Sequence, residues 1–539
     1  MKKNSFIKDS FISIAGVVAC KIIGLLYVVP FYAMISTTGG ALYSYAYSIY
    51  ALFLSLSTSG IPTAMSKIIS EYDALGYQKT KVRVFKIGLF IIVSLGILAF
   101  ILMMIFAEPL AYMLIGNMKG GNSVEDIAFV IRLISTALLI VPLLSVTKGY
   151  FQGQKLFKEA SLANVIEQIA RVIFLLIGCY LCIKVFNINE KFAIGIAVFS
   201  ATVGALVSYL YLYFKKKKDK EDFSEENIIV KEEEKILDRK YLVKQIINCA
   251  VPFIIIDLLK SAYGMVDALT VIRGMTYLGY DAAVSELALS TFATWGAKLA
   301  MIVISISMGL TISLIPNIAS DNINKDHKSV NHKINLSIIA LLFITLPMTV
   351  GISFLARPIW VLFYSYNAVS IDIFRLFIFT AGSFAIYSVI INIAQTLNHT
   401  KQVLITLSLA FTLNLIGNIP FMFLCHKLGI AAYQGASICT LITELGPALY
   451  LLLYLKKKHN LKFEELRSKI GKIILSIGAM FIGLYLVSLF YSIDSVSRMG
   501  SLIEIFIYMI IGVVIYFFIS YKTGLLKDIF GDKLKRFKL

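Results

Sequence analysis

Two lysines, Lys21 and Lys298, each stand near the middle of a long apolar stretch with no acidic residue one helical turn away. An ammonium at the centre of a bilayer costs roughly 2.5–3.5 kcal/mol on insertion-based scales, so such a group is expected to face a protein cavity where an anion neutralises it. Two of them imply an anionic cargo. The alternative is that each snorkels to the interface or pairs with a distant carboxylate.

More ionisable residues gather in and around the seventh apolar stretch: Asp257, Lys260, Asp267 and Arg273. Asp257 and Lys260 are three apart on one helix face, where they either neutralise each other or serve proton or ion coupling. Asp267 and Arg273 lie nearer the outer end, which suits a wet rim as well as a gate. In the fifth stretch Glu167 and Arg171 are four apart and read as a self-satisfied pair, with gating as the other role. Gly24 and Pro30 follow Lys21 and are expected to bend or open the first helix beside a cavity.

Catalytic patterns do not appear in the sequence. The five histidines, His327, His332, His399, His426 and His459, have no metal-ligand spacing, and no glycine-rich phosphate loop follows a strand. The longest outer loop, about Glu108 to Asp126, is short and poor in paired carboxylates. An enzyme is therefore disfavoured, no metal or cofactor is expected, and the drive is expected to be the membrane potential or an H+ or Na+ gradient.

These residues must be positioned by membrane helices. The chain has 539 residues, 58% of them hydrophobic and 15% charged, a balance that excludes an ordinary water-soluble domain of this length. Mean hydropathy is +0.81. Apolar runs of about 20 residues, each able to cross ~30 Å of hydrocarbon, recur throughout without the alternation of strands. Fourteen spans are expected: Phe11–Ile35, Ala41–Lys67, Val84–Phe106, Ile127–Thr147, Leu162–Phe186, Phe192–Phe214, Ile246–Val266, Ala288–Ile315, Leu336–Leu355, Ile373–Ala394, Val403–Cys425, Ile430–Leu455, Ile473–Phe490 and Leu502–Ile519. Polar residues in the seventh could extend or break it.

The net charge of +19 could suggest nucleic acid, but most of the 51 Lys and Arg fall in the tails and the even-numbered loops. That asymmetry is how cytoplasmic loops retain cations, so both termini are expected inside, in a multi-pass membrane protein with no nucleic-acid partner. Cys179 and Cys182 have redox-like spacing but sit within a span, where they are expected to pack as small apolar residues. The opening Met1-Lys2-Lys3 with Phe11–Ala19 imitates a signal peptide, yet the apolar run continues past Cys20 to Ile35 and predicts an uncleaved first span.

An internal duplication organises the chain. Ala41 and Ala288 are 247 apart, Ile127 and Ile373 are 246 apart, and Gln152-x5-Lys158 recurs as Gln395-x5-Lys401 at an offset of 243. Pro62 and Pro316 mark the inner ends of spans two and eight alike. An even number of spans per copy makes the repeats parallel, with a binding site expected between halves. The expected domains are a six-helix lobe at 1–214, a charged cytoplasmic linker at 215–244, a second six-helix lobe at 245–455, and two extra spans with a basic amphipathic tail at 456–539. The extra pair either lines a lipid-facing groove or contacts a partner, or is inert packing. The tail from Leu525 to Leu539 reads as an inner-leaflet anchor.

Three features carry a family likeness: six plus six plus two spans; Lys21-Ile22-Ile23-Gly24-Leu25-Leu26-Tyr27-Val28-Val29-Pro30; and Gly149-Tyr150-Phe151-Gln152-Gly153 with Glu167-Gln168-Ile169-Ala170-Arg171-Val172. In these the chain resembles the polysaccharide-export branch of the multidrug/oligosaccharidyl-lipid/polysaccharide exporter superfamily, above all the MurJ-type lipid II flippases and the stage V sporulation protein B group. The resemblance implies a MATE-like all-α fold of two rocking lobes that moves an undecaprenyl-diphosphate-linked saccharide across the bilayer. By it Lys21 and Lys298 take the positions of diphosphate-facing cations, and Asp267 with Arg273 matches an acidic-then-basic pattern. It also implies that the membrane is the bacterial cytoplasmic one, and contact with the cell-wall synthesis machinery. The chain departs from Gram-negative members in carrying Tyr27 where a second arginine often stands, and no cation in span two before Lys67.

Two alternatives from other classes stay open. A multidrug or cation antiporter of the same superfamily would depend on carboxylates such as Asp257 more than on lysines. A membrane glycosyltransferase or ligase would need an external acidic site with a divalent metal.

Overall fold

A computed structural model describes residues 20, 22–58, 65–116, 121–218, 238–307, 318, 327–491 and 495–530, apart from positions 66, 67, 70, 73, 74, 76 and 155. Lys21, Pro62, Pro316 and most of the charged linker lie outside the described residues, as do the side chains of Asp257 and Lys260. Within the described residues every regular element is a helix, the arrangement that satisfies each backbone N–H and C=O within its own segment when no water is at hand.

Eleven of these helices are long and apolar enough to cross a membrane. They correspond to the expected spans three to six and eight to fourteen. The helices outrun their apolar cores: the ninth span was expected over Leu336–Leu355, but its helix is His327–Phe354, because polar first turns continue the helix into the interface. The seventh span is extended by its polar residues, forming one 39-residue helix, Arg239–Tyr277, with Pro252 inside it.

The chain divides into two compact units, Met1–Arg273 and Gly274–Leu539. The cut falls inside the long Arg239–Tyr277 helix, later than the 215–244 linker that composition suggests. A physical reason is visible in the packing: Leu242, Ile246 and Ala250 are buried with Ile92, Leu144 and Tyr150 of the first unit.

In the first unit, α1 is Val28–Met34, α2 Thr37–Thr58, α3 Gln78–Ile105, α4 Ala107–Ile115, α5 Val124–Ser135, α6 Ala137–Gly153, α7 Phe157–Tyr180, α8 Glu190–Lys218 and α9 Arg239–Tyr277. The second unit holds α10 Ala282–Ser290, α11 His327–Phe354, α12 Ala356–Tyr364, α13 Ala368–Thr396, α14 Thr400–Lys427, α15 Ala432–His459, α16 Glu464–Phe490, α17 Arg498–Lys522 and α18 Leu525–Phe530. The duplication is visible inside each unit. A 28-residue helix, a one-residue break and a nine-residue helix occur as α3–α4 and again as α11–α12. Each short helix ends on a residue of positive φ, Gly116 in one copy and Ser365 in the other.

α16 and α17 pack on α11 and α12 of the second unit: the Tyr516 hydroxyl donates to the Phe343 carbonyl at 2.7 Å, and Phe354 lies against Phe481 and Tyr508. Their other faces are exposed and apolar, with Leu475, Ile482, Leu486, Ile510 and Val513 along them.

Candidate functional site

Lys298 is carried by the span Ala282–Ser307, whose helix is widened by one π-turn, Thr291–Trp295. The sequence explains the turn. Thr291 ties its hydroxyl back to the Leu287 carbonyl at 2.8 Å, and the Gly296 N–H closes the wide loop on the Thr291 carbonyl. A Cβ at Gly296 would sit 2.6 Å from that same carbonyl oxygen, so the turn requires glycine there. The Tyr364 hydroxyl donates to the Trp295 carbonyl at 2.8 Å, and Trp295 packs against Tyr364, which in turn packs on Trp360. Such π-turns concentrate at functional sites because they rotate the following residues out of the ordinary helical register.

The Lys298 ammonium lies over the Trp295 ring, 4.7 Å from its centroid, one turn from the indole on the same face. Trp295 is only 1% exposed, so the ring is a fixed platform and holds the ammonium at a defined point. A desolvated cation–π contact contributes about 0.5–2 kcal/mol. Trp295→Leu is therefore expected to weaken transport of an anionic cargo by roughly 2- to 30-fold, with Trp295→Phe recovering part of the loss. Initial rates in proteoliposomes check it, and unchanged rates in Trp295→Leu would show that the platform does not matter.

The first helix has a one-residue break within Ile22–Met34. Tyr27 breaks it immediately before α1, because Pro30 has no N–H to donate and its ring opposes the carbonyl four residues earlier. Gly24 brings this segment against α7: a Cβ there would lie 3.2 Å from the Gln168 amide nitrogen.

Glu167 and Arg171 do not pair with each other, which corrects the sequence expectation. Glu167 binds Lys148 of α6 at 2.6 Å. Arg171 turns toward α2, donating to the Tyr47 hydroxyl and to that of Tyr43 at 3.5 Å, with its guanidinium 5.3 Å from the Tyr47 ring centroid. Tyr43 also meets Tyr27 at 3.4 Å between hydroxyls. Spacing within one helix could not show this, because both better partners come from other helices. The readable signal was Tyr43-x3-Tyr47, one face of span two.

Arg273 is exposed and donates to the Met113 carbonyl at 2.6 Å, in the last turn of α4, where the helix presents unsatisfied carbonyls. It and Asp267 are six residues apart on one helix, which places them on different faces. Asp267 is half-buried.

Other polar contacts escaped sequence reasoning. In the second unit the Ser383 hydroxyl donates to the buried carboxylate of Glu444, and Asn414 donates to Thr440 at 3.1 Å and Thr443 at 3.2 Å. His399 and His459 meet at 2.7 Å between ring nitrogens, although sixty residues separate them. Burial, with Lys458 alongside, holds the His399 imidazole below its ordinary range. No group of three or more His, Cys, Asp and Glu side chains gathers among the described residues. Cys179 and Cys182 are buried free thiols, and Cys179 donates to the Ala193 carbonyl. A hollow of about 500 Å³ lined by Phe129, Leu133, Phe192 and Phe199 is wholly apolar and offers no group for binding a charge.

Comparison with known proteins bears on this arrangement. Residues 6–319 match the family described as polysaccharide biosynthesis protein. Over 544 aligned residues the chain is 28% identical to the lipid II flippase MurJ of Bacillus subtilis (strain 168), covering 99% of this chain and 98% of that protein. It is also 28% identical to the stage V sporulation protein B of the same organism over 222 residues, 40% of each chain. Among solved structures, a lipid II flippase MurJ in an inward closed conformation superposes with a TM-score of 0.65 at 18% identity, over 96% of this chain and 99% of that one. An inward-facing multidrug resistance MATE family transporter of the MOP superfamily superposes with a TM-score of 0.66 at 14% identity, over 82% and 94%. The fold is that of the MATE and MurJ transporters.

Proposed function

Since this chain belongs to the polysaccharide biosynthesis protein family, we propose that it is a flippase for an undecaprenyl-diphosphate-linked cell-wall precursor of the lipid II type. The observation that carries this reading is end-to-end similarity to a lipid II flippase, with no large segment of either chain left over. The MATE likeness, at 14% identity, speaks for the fold and leaves the cargo to be argued from charge.

Charge favours an anion. Lys298 is held on an indole face in the middle of a span, a position from which a cation suits an anionic cargo better than a cationic one. In this reading the sugar diphosphate moves from the inner to the outer leaflet by alternating access, Lys298 and Lys21 offset its charge, and Asp267 and Arg273 act nearer the outer end. The prenyl chain stays in lipid, along the exposed apolar faces of α16 and α17. The positive-inside distribution of Lys and Arg supports having both termini in the cytoplasm. Transport without bond-making needs no cofactor, and the drive is the membrane potential or an H+ or Na+ gradient, with Asp257 as the carboxylate to respond to it.

Depletion in the native cell tests the reading directly. Lipid II is expected to accumulate on the inner leaflet, and purified protein in liposomes is expected to move fluorescent lipid II across. If a different lipid-linked saccharide accumulates, the cargo named here is wrong; if none does, the flippase reading falls.

A further inference from the structure

Arg171 sits midway along the span Lys158–Val185, at a depth where a permanent guanidinium is among the costliest groups a helix can carry. Its guanidinium donates to tyrosines of α2, and among the described residues it makes no ion pair, since the carboxylate four residues before it is bound to Lys148. Its Nε is buried with no acceptor. The stem is fixed as well: a Cβ on Gly204 of α8 would lie 2.9 Å from the Arg171 Cβ, so the helices meet closely at the root of the side chain. Here is a rigidly held cation, framed by phenols that donate as well as accept, with a donor still unsatisfied.

We propose that Arg171, with Tyr43 and Tyr47, is an anion-binding site of the first unit that takes a phosphate of the diphosphate linkage. This deepens the flippase reading and rests on it. A planar guanidinium offers two parallel N–H donors to two phosphate oxygens, and Tyr47, whose oxygen already accepts from it, has its own hydrogen to give to a third. Tyrosine faces beside the guanidinium also suit the apolar faces of a sugar ring. A purely structural alternative exists, in which Arg171 is only a brace tying α7 to α2.

Titration of the purified full-length protein with lipid II, undecaprenyl diphosphate and phosphatidylglycerol, read by native mass spectrometry, separates these. Arg171→Gln is expected to weaken both diphosphate lipids on the order of 10- to 100-fold, the range for one charge-assisted pair, with phosphatidylglycerol unchanged. Arg171→Lys, which keeps the charge and loses the fork, falls between, and Tyr47→Phe loses less. Wild-type affinity for the diphosphate lipids in a folded Arg171→Gln, or in Arg171→Lys should the first not fold, overturns the proposal, as does an equal loss for phosphatidylglycerol. Failure of the wild type to bind either diphosphate lipid would instead bring down the flippase reading beneath it.

Discussion

Lys298→Ala is expected to abolish transport of a diphosphate-linked lipid while the protein remains folded, and Lys21→Ala to do the same. The π-turn beside Lys298 is closed by Gly296, Thr291 and Tyr364. In the proposed function the Lys298 ammonium is a contact of the diphosphate. One charge-assisted hydrogen bond to phosphate is worth about 1.5–3 kcal/mol, so each alanine variant should lose 10- to 100-fold in binding, and more in transport if the charge is used throughout the cycle. Lys298→Arg keeps the charge over the Trp295 face and should retain part of the activity. Growth of depleted cells on each variant, with membrane levels measured alongside, is the check. Full complementation by both alanine variants would rule out the anion-binding role, and loss of folding in Lys298→Ala would rule out the separation argued here.

Gly435→Ala should be the most damaging single methyl in the second unit. Gly435 lies in α15 against α14, and a Cβ there would come to 2.5 Å from both the Phe421 carbonyl oxygen and the Met422 nitrogen. Those atoms are backbone, so two packed helices must separate, at a cost of about 1–3 kcal/mol or more. Gly446 supplies the control on the same helix, for nothing lies within 4 Å of its Cβ position. Gly446→Ala should be neutral or stabilising by up to about 1 kcal/mol through helix propensity alone. Thermal unfolding in detergent compares the two. Equal melting temperatures would mean that the α14–α15 approach is looser than the structure has it.

Membrane helices, the repeated helix pattern and the family likeness were legible in the residues because each is written in a one-dimensional pattern. A run of apolar side chains must become a helix in lipid whatever its neighbours are, and α3–α4 and α11–α12 repeat the same break at corresponding places because their sequences share one ancestral pattern of lengths. Lys298 stood out for a similar reason: a charge in an apolar run is conspicuous without any knowledge of its partners.

Partners were another matter. Glu167 and Arg171 have the spacing of an ion pair, yet Lys148 and the α2 tyrosines win both, because a side chain from a facing helix can meet a group head-on. His399 and His459 touch although sixty residues separate them, and the Trp295 platform exists only because Tyr364 reaches across from α12 to fix it. Composition and periodicity thus settle that this chain crosses a membrane many times, and they mark the cations that lie within its spans. Which cations are already answered depends on distances between helices, and no spacing along a single helix contains those.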